Sequence, residues 1–300
     1  MIKRLISANV SDIMKMSAIE LKQSIKSSAG RVILAENVCS ITPQIPDITN
    51  SEIAAASGAD MILLNVIDLF DPHVSGLTDD ESKDFVNVLH KLTGKVIGVN
   101  LEPVDESASM LENQLTISKG RHATVETFKR ANELGLDFIC LTGNPGVGVT
   151  NKQILEAIKN AKKHFNGLII AGKMHGAGVD EKVISEKAIQ EFIDAGTDII
   201  LVPAVGTVPG VRYEDLNTAV DLAHKQDVLV MSAIGTSQET SDIEVIKRFA
   251  IDSKIAGVDI QHIGDAGPGG LANVENIYNL SVAVRGKKHT LSRICRSINR

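Results

Sequence analysis

Eight short apolar runs punctuate this sequence, and one position lies at the same distance along each: Glu36, Asn65, Asn100, Thr142, Gly172, Pro203, Ser232 and His262. Six of the eight are polar, while the four positions before each are almost wholly apolar. A ring of hydrogen-bonding groups at one depth suits a small polar ligand. Further chemistry follows the ring closely. Asp68 and Glu102 come after the second and third runs and, with Glu36, make three acids on neighbouring runs. Such oxygens hold Mg²⁺, some of them through water, or supply a general base and its orienting groups. Lys173 and His175 follow the fifth run. A buried lysine with a lowered pKa forms a Schiff base with a carbonyl substrate; it also serves as a plain cation for carboxylate or phosphate, or as half of a structural ion pair. Imidazoles titrate near neutral pH and move protons, or simply form pocket walls. His262, in the ring and beside a glycine-rich loop, is the stronger histidine candidate. The catalytic candidates are Glu36, Lys173 and His262, and the metal candidates Glu36, Asp68 and Glu102.

The stretch Val258–Ala272 reads as a strand running into a loop and then a helix, and Gly264–Gly270 holds four glycines and one proline in seven residues. Such a loop turns backbone N–H groups toward one point, and a following helix N-terminus adds partial positive charge, an arrangement that suits phosphate or carboxylate. A flexible turn is the plainer reading. Gly235, Thr236 and Ser237 form a second loop, after the seventh run, and Asn144 lies in a third, Gly143–Gly148. The binding candidates are Asn65, Asn100, Thr142, Asn144, Ser232, Gly235, Thr236, Ser237, Gly264, Asp265 and Gly267.

The elements that must position these residues alternate. The runs are Val32–Ala35, Met61–Leu64, Val96–Val99, Phe138–Leu141, Leu168–Ala171, Ile199–Val202, Val228–Met231 and Val258–Gln261, separated by stretches with helical spacing. Alternation of this kind gives βαβ units and a parallel sheet. Eight units in a 300-residue α/β chain predict one closed (β/α)8 barrel, a TIM barrel, whose site lies at the C-terminal strand ends and whose phosphate often sits on the loops after strands seven and eight. Gly58-Ala-Asp60, Gly135-Leu-Asp137 and Gly196-Thr-Asp198 announce strands in the same way. Thr49/Glu52, Thr78/Glu81, Thr150/Gln153 and Ser241/Glu244 have capping-box spacing. Residues 1–30 predict a helical extension over the bottom or side, and 103–122 a long loop over the mouth, with a short helix at Ser107–Gln114 and with Lys119 and Arg121 able to close on an anion. Asp259 and Gln261 fall on the helix-facing side of the last strand, where a buried acid needs a partner. No Pro/Gly/Ser linker divides the chain, so 1–300 reads as one domain.

Composition excludes several functions. Net charge is −6 and no basic stripe with interleaved aromatics occurs, against nucleic-acid binding. The basic run Arg285, Lys287, Lys288, Arg293, Arg296 and Arg300 suits a solvated helix face, or a contact with a subunit or acidic partner. Cys39, Cys140 and Cys295 are scattered, which fits a reducing cytoplasm, with Cys140 a small buried hydrophobe. No signal-peptide pattern and no apolar run of membrane length appears. Soluble barrels commonly form closed symmetric assemblies, so a homo-oligomer is expected.

Three segments resemble bacterial proteins labelled phosphoenolpyruvate phosphonomutase-like: Asp47–Glu52, Cys140–Gly146 with Gly148–Asn151, and Ile263–Gly267. The resemblance spans nearly the whole chain and implies a barrel more firmly than a reaction. In the phosphonomutase and isocitrate-lyase group, strand-end acids hold Mg²⁺ and a catalytic loop carries lysine; Glu36, Asp68 and Glu102 are the acids here, and the loop motif has no counterpart in this sequence. The sequence therefore predicts an enzyme acting on a small phosphorylated sugar or acid by proton abstraction next to a carbonyl, an aldolase, lyase, isomerase or epimerase. A Mg²⁺-dependent mutase or lyase of the phosphoenolpyruvate type is the second reading, and a metabolite-binding barrel without catalysis the third.

Overall fold

The Gly-x-Asp signal sets the strands side by side. In the computed structural model, which describes residues 2–300, eight parallel strands close into a barrel in sequence order. They are β1 Val32–Val38, β2 Met61–Asn65, β3 Val96–Leu101, β4 Phe138–Leu141, β5 Leu168–Gly172, β6 Ile199–Pro203, β7 Leu229–Ile234 and β8 Ile260–Ile263. Helices α1 Val10–Ile13 and α2 Ala18–Lys26 precede the barrel. Outside it lie α3 Asn50–Ala56, α4 Asp79–Lys83, α5 Phe85–Thr93, α6 Val125–Leu134, α7 Asn151–His164, α8 Glu186–Asp194, α9 Tyr213–His224, α10 Ile243–Ile255 and α11 Val274–Ile294, the last kinked at Gly286. The chain is a (β/α)8 barrel.

Each even-numbered strand is preceded by a Gly-x-Asp in which the aspartate grips the second residue of the strand before it. The Oδ2 atoms of Asp60, Asp137, Asp198 and Asp259 accept from the N–H groups of Ile33, Ile97, Ile169 and Val230 at 3.0, 2.7, 3.0 and 2.9 Å. The aspartate N–H donates back to the same residue's carbonyl in all four. The preceding glycines, Gly58, Gly135, Gly196 and Gly257, have positive φ and end helices, the first three as expected. Asp259, anomalous in sequence, is thus the fourth member of the repeat, and His224 Nε2 lies 2.8 Å from its carboxylate. Gln261 Nε2 has no partner among the described residues.

Inward side chains fill the barrel in layers. Leu34, Leu63, Cys140, Ile170, Leu201 and Met231 belong to one buried cluster, and Leu5, Ile6, Ile13, Leu21 and Ile25 of the N-terminal extension join it. Gly98 is required there, because a Cβ at that position would lie 2.5 Å from the Phe138 ring. Strand side chains alternate between faces. Leu229, Met231 and Ala233 face inward, so Ser232 faces the helices. The expectation that Ser232 joins the mouth fails because the seventh run begins one residue later than read, and a one-residue slip changes the face. Thr49, Thr78 and Thr150 cap their helices as expected, whereas α10 starts after Asp242 without the Ser241/Glu244 box.

The basic run is partly buried. Arg285 and Arg293 both pair with Asp60, at 2.5 and 2.7 Å, and all three side chains are almost fully buried. Removing one member of such a cluster leaves uncompensated charge in the interior, at a cost of about 3–5 kcal/mol. Asp60→Asn is therefore expected to lose that much stability in urea unfolding at pH 7. Asp137→Asn, at the same point of a half-exposed repeat, should lose about 1–2 kcal/mol. Equal losses would show that the arginines add nothing.

Candidate active site

The C-terminal strand ends open on a cavity of about 420 Å³, within the usual range for small-molecule sites. Glu36, Asn65, Asn100 and Thr142 line it from the first four strands. Asn144, His175, the Gly176–Gly178 loop, Gly235, Thr236, Ser237, Glu239, Gly264 and Asp265 form much of the remaining wall.

Asn65 is the hub of the polar wall. Its Oδ1 accepts from Asn100 Nδ2 at 3.2 Å, Asn144 Nδ2 at 3.0 Å and the Val66 N–H at 2.9 Å. Its Nδ2 donates to Asn144 Oδ1 at 2.8 Å and Asp265 Oδ2 at 2.9 Å. Val66 has φ +60°. For a β-branched residue this left-handed backbone costs roughly 1–3 kcal/mol.

Below the hub lies a proton-holding pair. His262 Nε2 sits 2.8 Å from Glu36 Oε2, and both residues are buried. Burial pushes the Glu36 carboxyl up to about 8, with the Glu239 and Glu102 charges adding to it. Burial pushes His262 down to about 4. At pH 7 the pair is uncharged, with one proton between the two heteroatoms. Glu36 Oε1 and His262 Nδ1 have no partner among the described residues. Asp265 is raised to about 7, by burial first and then by Glu36. Glu239 is also raised by burial, although its Oε1 accepts the Ala266 N–H at 3.0 Å. Carboxyls poised near neutrality are suited to general acid–base work.

His175 is fixed differently. Its Nδ1 accepts the Ala177 N–H at 2.9 Å. That bond places the ring proton on Nε2 when the imidazole is neutral. Burial, then the Lys173 charge, lowers its pKa. His175 is therefore a neutral donor in the cavity wall.

Ten of the sequence-derived candidates meet at the cavity: Glu36, Asn65, Asn100, Thr142, Asn144, Gly235, Thr236, Ser237, Gly264 and Asp265. His262 stands behind Glu36. Lys173 does not reach the cavity. Its Nζ is 2.5 Å from Glu181 Oε2 and its side chain is 2% exposed, so it forms the structural ion pair. Gly267 is packed against the Leu271 backbone, where a Cβ would lie 2.0 Å from the carbonyl oxygen. Sequence reasoning missed Glu239 altogether. It lies in a one-turn 3-10 segment, Gln238–Thr240, and its burial comes from the neighbouring loop after β8.

The expected Mg²⁺ set does not come together. Asp68 Oδ1 accepts the Phe70 and Asp71 N–H groups and Oδ2 that of Gly120. Glu102 is held by Arg121 at 2.5 Å and by the Asn144 N–H at 2.7 Å. Among the described residues no three His, Cys, Asp or Glu side chains are arranged to hold a metal ion. These residues do not fit the group.

Residues 103–122 lie across one side of the mouth. Leu111 and Leu115 N–H groups donate to the Gly178 and Gly146 carbonyls, and Gln114 Nε2 to those of Asp105 and Val147. The helix expected at Ser107–Gln114 is absent, because these backbone groups bond to the loops after β4 and β5 instead. Arg121 is engaged by Glu102, and Lys119 lies exposed in a 3-10 turn.

Fold and site together define a (β/α)8 barrel with buried acid–base groups at its mouth. The chain belongs to the family described as Domain of unknown function (DUF7916), whose model matches residues 6–300. No curated protein matches it by sequence. Among solved structures it is similar to 2,3-dimethylmalate lyase, a PEP mutase/isocitrate lyase superfamily member, with TM-score 0.52 and 11% identity over 82% of this chain and 80% of that one. It is also similar to a putative lyase/mutase from Burkholderia cenocepacia J2315, with TM-score 0.51 and 14% identity over 87% and 83% of the two chains. At these identities the likeness shows the barrel. No helix among the described residues is long and apolar enough to cross a membrane.

The raised Glu36 carboxyl has a consequence for stability. From its ordinary value of 4.5 up to about 8 the folded chain holds a proton that the unfolded chain has lost. This contribution to stability therefore falls as pH rises through that window. Asp265 acts in the same direction from 3.8 to about 7, and His262 opposes both only between about 4 and 6.5. Glu36→Gln, which cannot ionise, is expected to melt above the wild type by a margin that widens from pH 5 to pH 8. A margin independent of pH in differential scanning calorimetry would show that Glu36 is not held protonated.

Proposed function

We propose that this protein is a lyase or isomerase that abstracts and returns a proton next to a carbonyl group of a small metabolite. The observation that carries the reading is the Glu36–His262 pair, buried at the floor of the cavity with one proton between its partners. As substrate binds, the shared proton passes to His262 Nε2, and the Glu36 carboxylate so formed, still hydrogen-bonded to that imidazolium, removes the proton from carbon. Negative charge then develops on the carbonyl oxygen. The His175 Nε2–H and the N–H groups of Gly235, Thr236 and Ser237 are the donors available to it. None of the three backbone groups has an acceptor among the described residues. Fixed donors placed where charge develops commonly lower the barrier of such reactions more than any other single effect. The names of the two similar barrels, a lyase and a putative lyase/mutase, agree with this class.

A phosphorylated substrate is the second reading, and those same free N–H groups at Gly235–Ser237 favour it. The partner loop, Gly264–Gly270, contributes less than expected, because Glu239 already accepts its Ala266 N–H.

Solvent exchange tests the chemistry directly. The wild type is incubated in D₂O with ketoses, aldoses, their phosphates and 2-oxo acids, and carbon-bound deuterium is read by NMR. At least one compound should exchange, and Glu36→Gln should slow that exchange at least about 100-fold. Exchange at the wild-type rate in Glu36→Gln would remove Glu36 as the base. Binding without exchange for every compound would favour a metabolite-binding barrel.

A further inference from the structure

We infer that the substrate is an uncharged polyhydroxy carbonyl compound, a free sugar, and not its phosphate. The inference rests on the acid–base reading above and concerns the substrate class of the same site. Among the described residues no lysine or arginine lines the cavity. Two cations that follow the strand ends are committed elsewhere, Lys173 to Glu181 and Arg121 to Glu102. In their place the wall carries three carboxyls, Glu36, Glu239 and Asp265. A phosphate dianion would enter a site that holds acids and offers no side-chain cation.

The unsatisfied groups say what the ligand must bring. Glu36 Oε1, Asn100 Oδ1 and Glu239 Oε2 are without partners among the described residues, and each belongs to a cavity-lining residue at most 3% exposed. Asn100 cannot turn its acceptor away, because its Nδ2 is held by Asn65. Buried polar atoms are rarely left unpaired, and an unpaired one costs its desolvation. Three such acceptors around one cavity are matched by a ligand rich in hydroxyl donors. Phosphate and carboxylate groups bring only acceptors. The free donors, His175 Nε2–H and the Gly235–Ser237 amides, are left for one carbonyl oxygen. Several hydroxyls and a carbonyl describe a sugar in its open-chain form.

The test uses matched pairs on the full chain: fructose with fructose 6-phosphate, ribulose with ribulose 5-phosphate, and glucose with glucosamine, by calorimetric titration and thermal shift. One free sugar should bind, with its phosphate at least tenfold weaker. Asn100→Ala and Glu239→Gln should each weaken that sugar about tenfold, the loss of one hydrogen bond, with circular dichroism unchanged; Asn100→Asp, which keeps an acceptor, should lose less than Asn100→Ala. A phosphate that binds more tightly than its free sugar, glucosamine binding more tightly than glucose, or no binding in any pair would overturn the inference. Deuterium exchange separates the two ideas. Exchange confined to phosphates refutes the substrate class and leaves the proton chemistry intact; a tightly bound free sugar that never exchanges refutes the proton chemistry and leaves the class.

Discussion

The buried charge cluster at the bottom of the barrel ties together more of the chain than any other interaction. Asp60 holds the Ile33 amide of β1 and stands at the entry to β2. Arg285 and Arg293 reach it from the C-terminal helix. Arg293 also donates to the Ala8 carbonyl of the N-terminal extension at 3.1 Å, and Arg285 to the carbonyls of Arg31 and Gly58. One carboxylate thus joins both ends of the chain to the first two strands. Burying charge costs desolvation that pairing only partly returns, so the worth of the cluster lies in the register it imposes. The other three aspartates of the repeat do the same for their strand pairs with more exposed partners.

The two ends of the barrel treat charge in opposite ways. At the bottom the Asp60 carboxylate meets two guanidiniums and a backbone amide. At the mouth Glu36, Glu239 and Asp265 crowd without a side-chain cation in the wall and are pushed toward the protonated state. Stability given up at a site while the scaffold is over-determined elsewhere is the usual sign of function. The barrel explains why the division falls along the strands: their N-terminal ends are stitched by the repeat, and their C-terminal ends are free to vary.

Much of this was legible in sequence, and the gaps have physical causes. Apolar runs separated by capped helices predict the barrel because local pattern and topology agree. The ring of Glu36, Asn65, Asn100 and Thr142 followed from counting, since those strands start where their apolar runs start. Ser232 was misplaced because Val228 is apolar but lies outside the strand, and alternation magnifies a one-residue slip into a change of face. Lys173 lies just past a strand end, yet Glu181, eight residues on, folds back to claim it. Its commitment is visible only in three dimensions. The same holds for Glu239, whose partner amide comes from another loop. The fourth Gly-x-Asp, Gly257-Val258-Asp259, is present in the sequence, with its last two residues inside the run read as strand.

The left-handed Val66 has a bearing on how the site meets its ligand. Its N–H is bonded to Asn65 Oδ1, and both amide groups of Asn65 are already engaged by Asn100, Asn144 and Asp265. Rotation of Asn65 toward a ligand would break those bonds and leave a strained peptide without the contact that holds it. Asn65 is therefore a fixed mount and not a ligand-binding arm. A side chain held at both ends of its amide in this way is pre-organised, and a pre-organised wall spends little reorganisation energy on a ligand.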